Sequence, residues 1–133
     1  MKLNELRKQI EGVYVAVVPE EEEGQKVWNV YIINDRSELI TNVMLTSKGY
    51  GTVKKEAVKT STLRRALPDI SAKHAVKAEF IPRELHGLSN EYWLSFYLGR
   101  EIFDKKYIFL PESLIEKNLI DVPLVHKKGV LVV

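Results

Sequence analysis

The sequence predicts an all-β protein: an antiparallel, immunoglobulin-like β-sandwich of about seven or eight strands, preceded by a short N-terminal helix. Three observations predict it. Beyond residue 12, apolar side chains recur mainly with a period of two, and the runs are rich in Val, Ile, Tyr and Phe. Gly, Pro, Asn and Asp interrupt those runs at short intervals, as turns require. No helical pattern between successive runs is long enough for the crossover that a parallel sheet needs.

The elements follow in order. Over residues 2–11, Leu3, Leu6 and Ile10 recur at helical spacing with charges between them, and Gly12 is a natural stop; a helix is expected within residues 1–12. Residues 13–18 are β-branched and aromatic, and Pro19 is expected to end that strand. Glu20, Glu21, Glu22, Glu23 and Gly24 then read as a hairpin connection in solvent, because four adjacent carboxylates are costly to bury. From 27 to 34, Trp28, Val30 and Ile32 share one strand face, with Asn29 and Tyr31 on the other.

Asn34, Asp35, Arg36 and Ser37 supply turn chemistry. A third strand is expected over 39–47, broken by Gly49-Tyr50-Gly51, and a fourth, weakly alternating, over 53–60. Residues 61–71 read as a turn or loop, since Pro68 and Asp69 curtail the helical spacing of Leu63 and Leu67. Val76, Ala78 and Phe80 alternate with Lys77 and Glu79, so the first three are expected to be buried. Tyr92, Leu94, Phe96 and Leu98 alternate with Glu91, Trp93, Ser95 and Tyr97. A strand over 107–110 stops at Pro111, where a proline and an acid are placed to open a short helix. Residues 129–133 close the chain as a strand.

Length and composition bound the rest. With 133 residues, 45% of them hydrophobic, the chain is expected to fold as one domain over 1–133 with a core that needs no staple. There is no cysteine, which removes disulfides, thiol nucleophiles and thiolate-bound metals and suits a reducing compartment. The first residues lack the apolar stretch of a signal peptide, and no apolar run is long enough to span a bilayer. The expectation is a cytoplasmic protein with no membrane association. The net charge of +2 is near balance, so overall charge does not favour nucleic acid.

The segments Trp28-Asn29-Val30-Tyr31-Ile32-Ile33-Asn34, Ser47-Lys48-Gly49-Tyr50-Gly51, Thr60-Ser61-Thr62-Leu63-Arg64, Asn90-Glu91-Tyr92-Trp93, Lys105-Lys106-Tyr107-Ile108-Phe109 and Lys128-Gly129-Val130-Leu131 occur in that order. Together they resemble a family of short, uncharacterised proteins of the Bacteroidetes, over roughly residues 28–131. Some of its members carry the automatic label of a phenylalanyl-tRNA synthetase alpha subunit. The resemblance implies an all-β domain and brings no catalytic residues. The chain is far shorter than a class II synthetase, and Arg64, Arg65, Arg83 and Arg100 stand in no context like that core's ATP-holding arginines. Synthetase activity is not expected.

No catalytic constellation is legible. His74, His86 and His126 lie at no metal-ligand spacing. Lys48 precedes Gly49-Tyr50-Gly51 instead of following it, unlike a phosphate loop. Ser61 lies between threonines, with none of the glycines of a nucleophile elbow. Neither a cofactor nor a metal is expected, and the chain does not read as an enzyme.

Two features point outward. Lys48, Lys54, Lys55, Lys59, Arg64 and Arg65 face a single acid, Glu56, over 48–65; with Tyr50 they form a possible phosphate- and base-contacting stripe. A solvated strand face that discourages edge pairing accounts for the same pattern. Trp93 and Tyr97 lie opposite the expected core face of their strand, as if to cover a second surface. The expected function is a non-enzymatic interaction module that binds a protein partner or itself. An RNA- or tRNA-associated domain is the second reading, and a small enzyme with an unfamiliar site the third.

Overall fold

The computed structural model describes residues 10–133. Ten strands form two antiparallel sheets. β1 (Val13–Glu22), β2 (Gln25–Asn34), β6 (His74–Phe80), β9 (Ile120–Asp121) and β10 (Lys128–Val132) make the first, in the order β6-β2-β1-β10-β9. β3 (Thr41–Val53), β4 (Glu56–Lys59), β7 (Ser89–Leu98) and β8 (Glu101–Phe109) make the second, in the order β4-β3-β7-β8. β5 (Leu63–Ala66) pairs with β3 beside β4, on the edge opposite β7. The expected N-terminal helix falls largely on residues 1–9, outside the described residues; Ile10 to Gly12 lead into β1 without helix.

The core lies between the sheets. Val13, Val15, Val17, Val30 and Ile32 of the first meet Leu45, Leu94, Phe96, Tyr107 and Phe109 of the second. Each such side chain contributes about 1.5–3 kcal/mol by leaving water. Tyr107 adds a polar tie, its buried hydroxyl donating to the Val13 carbonyl across the core. Trp28 lies on the core side, and Asn29 and Tyr31 on the other side of β2, as the alternation required.

The opposite face of the first sheet carries a smaller apolar cluster. Ala16, Val18 and Ile33 are covered by Val122, Leu124 and Val125 from the segment between β9 and β10. Gly129 lets β10 approach β1, because a Cβ there would stand 2.8 Å from the Val17 carbonyl oxygen.

Several boundaries differ from expectation. Pro19 does not end β1; it pairs with Trp28, and the strand runs on to Glu22. β10 pairs only Val15 to Val17 of β1, so that edge is free at Pro19, where a missing N–H costs nothing. The turn is then just Glu23-Gly24, both at positive φ. Nor is the glutamate run wholly in solvent, since the Glu20 side chain is 8% exposed.

Gly49-Tyr50-Gly51 lies inside β3 instead of breaking it, and Leu88 and Thr60 pack where glycine side chains are absent. The chain reverses at Lys54-Lys55, so the expected strand over 53–60 is a hairpin turn followed by β4. Residues 61–71 contain an edge strand, β5, where a loop was expected. In β6, pairing shifts between Val30–Glu79 and Tyr31–Lys77. Ala78 is the extra residue, and this bulge reverses the alternation beyond it. Phe80, expected to be buried, is 57% exposed, while Glu79 turns inward. The helix expected after Pro111 is replaced by a turn and one 3-10 turn, Glu116–Asn118. Among the described residues, no helix is long and apolar enough to cross a membrane.

Candidate functional site

Cross-strand register sorts the sequence's candidate residues onto different surfaces. Thr46 pairs with both Arg64 and Trp93, Lys48 with Glu91, and Thr41 with Tyr97. Directly opposed residues share a face, so Lys48, Tyr50, Arg64, Trp93 and Tyr97 all project from the outer face of the second sheet. Met44 and Lys106 join them through their pairings with Ser95 and Trp93. Trp93 and Met44 are 36% and 39% exposed. Lys106 lies over the Trp93 ring, 5.1 Å from its centroid, a favourable charge–quadrupole contact.

Glu91 anchors this face. Its carboxylate accepts from the Tyr50 hydroxyl at 3.2 Å and meets Lys48 at 3.6 Å and Lys106 at 3.9 Å. Burial, followed by the Glu91 charge and hydrogen bond, raises the Tyr50 pKa. Two cations of the face are therefore partly neutralised by an acid that lies far from the basic stretch in sequence.

The other expected residues lie elsewhere. Lys54 and Lys55 form the β3–β4 turn. Arg65, opposite Leu45, belongs to the inner side, where its Nε donates to Glu79 at 3.1 Å. The basic stretch is not one stripe.

Sequence reasoning missed a second locus, a cleft of about 620 Å³ where β3 and β5 of one sheet approach β6 of the other. Ser47, Tyr92 and Ala78 line its interior, with Leu63, Arg65 and Phe80 around it. Glu79 is the charge within it. Its carboxylate accepts from Ser47 Oγ at 3.3 Å and from Arg65 Nε at 3.1 Å. Burial and the Glu79 carboxylate push the Tyr92 phenol well above its ordinary pKa. Such an arrangement offers apolar surface, hydroxyls and one guanidinium. Only the bulge that turns Glu79 inward assembles it, and no local pattern in the sequence announces that bulge.

A third group lies on the outer face of the first sheet. Glu20 accepts from Tyr31 at 2.6 Å, from Asn29 at 2.8 Å, and from Lys127. Burial works to raise its pKa, but those three hydrogen bonds together outweigh it and hold Glu20 at about 2. Because Lys127 follows the segment that covers this sheet, the pair fastens that segment down. The histidines are dispersed: His74 bonds the Ala72 carbonyl, His86 bonds the Ile81 carbonyl and abuts Trp28, and His126 occupies a left-handed loop position. No protein-family model matches the chain, and no curated protein matches it in sequence.

Proposed function

We propose that the chain is a non-enzymatic module of the cytoplasm that docks a protein partner on the outer face of its second sheet. The observation that carries this reading is the run of exposed Met44 and Trp93 with half-buried Tyr97 across adjacent strands β3 and β7. Large flat side chains such as these form the desolvated centres of protein interfaces. Arg64, with Lys48 and Lys106 only partly neutralised by Glu91, favours a partner with an acidic rim. A second copy of the chain would set like charges against one another, which favours a different protein over self-association.

The immunoglobulin-like arrangement is part of the proposal, supported by two antiparallel sheets sharing one core. The resemblance to short proteins of the Bacteroidetes agrees with it through the all-β architecture. An RNA partner is the weaker reading, because Glu91 engages Lys48 and Lys106 while Arg65 and the Lys54-Lys55 turn lie off the face.

The test is capture from nuclease-treated lysate with the wild-type chain and with a Trp93→Ser, Tyr97→Ser variant of equal thermal stability. The reading expects a stoichiometric protein retained by the wild type and lost by the variant. Equal retention by both, or capture of RNA alone before nuclease treatment, contradicts it.

A further inference from the structure

The inter-sheet cleft carries an inference independent of the outer face. Its volume, about 620 Å³, falls in the range that holds small organic ligands, and it combines apolar walls with a few fixed polar groups. Leu63, 52% exposed, and Ala78 present apolar surface to it. An apolar body entering there would cover both.

The polar groups decide which ligand. Glu79 is already engaged by two donors, Ser47 Oγ and Arg65 Nε. Its charge is already paired with the Arg65 guanidinium, so it attracts a second cation only weakly. Arg65 is in the reverse position. A guanidinium carries five N–H donors in a planar fork, and here Nε alone is engaged by a side chain. Among the described residues, none accepts from its two terminal nitrogens. The Glu79 contact fixes the plane of the fork and leaves the paired donors that match a carboxylate. The arginine side chain is 47% exposed, so an anion reaches it without being stripped fully of water.

We propose that this cleft is a binding site for a small amphipathic carboxylate, its apolar body between Leu63 and Ala78 and its anionic head on the Arg65 fork. Glu79 is a positioning residue that holds the fork and touches no part of the ligand.

Three probes of equal chain length test this: octanoate, octanol and octylamine, each titrated into the full chain and followed by backbone NMR. Octanoate is expected to shift the amides of Ser47, Arg65 and Phe80, and to bind at least about tenfold more tightly than octanol, the least that a charge-assisted pair contributes. Arg65→Lys keeps a cation for Glu79 but removes the fork, and should erase most of that preference. Leu63→Trp should weaken all three probes together. Octylamine as the tightest probe, equal affinity for octanoate and octanol, or shifts confined to other surfaces would each overturn the proposal. The wild-type comparison decides the matter even where a variant fails to fold.

Discussion

A buried carboxylate such as Glu20 stabilises the fold only while it stays charged and fully bonded. Its pKa, held at about 2 against an ordinary 4.5, places the stabilisation above the unfolded value and removes it as pH falls toward the folded one. We therefore expect Glu20→Gln to cost about 2–3 kcal/mol at neutral pH, shrinking steadily below pH ~4.5 and vanishing near pH ~2. Urea unfolding of both proteins across that range checks it; a difference independent of pH contradicts it. Tyr107→Phe should cost about 1–3 kcal/mol in the same assay, because the Val13 carbonyl then stays buried without a donor. The sequence displayed Glu20 only as one of four adjacent acids. Its partners Lys77 and Lys127 come from distant segments, and no local pattern names them.

Among the elements, the least comfortable is the turn joining β3 to β4. Lys54 and Lys55 both adopt positive φ, at 50° and 66°, as a two-residue turn with primed geometry requires. Neither residue favours that region, whereas Asn-Gly does. Lys54→Asn with Lys55→Gly should raise stability by about 1 kcal/mol, read as a higher melting temperature; a lower one contradicts the turn assignment. Gly129→Ala tests strand approach, since its Cβ would stand 2.8 Å from both the Val17 carbonyl oxygen and Val18 Cγ2. It should destabilise strongly, by about 3 kcal/mol or more. Strand β7 was legible because its alternation matches one core face. β2 and β10 were legible as short runs rich in β-branched and apolar residues, buried on both faces. β5 was not, as all four of its residues are exposed on a short edge. β6 was legible as a strand but not as a surface, because alternation carries no mark of the Ala78 bulge.

At the scale of the whole molecule, the architecture was largely readable and the sites only half so. Period two identified strands, and the absence of crossover helices excluded a parallel sheet. Trp93 and Tyr97 were found because they oppose the core face of their own strand. Met44 and Lys106 were not, since they join that face only through pairing with β7. The basic stretch looked continuous along the chain, yet register divides it between outer face, inner cleft and turn. The two tryptophans supply a direct test: Trp28 is 6% exposed in the core and Trp93 36% exposed on the proposed interface. Fluorine NMR of fluorotryptophan-labelled protein, titrated with the captured partner, reads both at once. The account predicts that the Trp93 resonance shifts to saturation at equimolar partner while that of Trp28 stays in place. A Trp93 resonance that stays unmoved while the complex forms would contradict it.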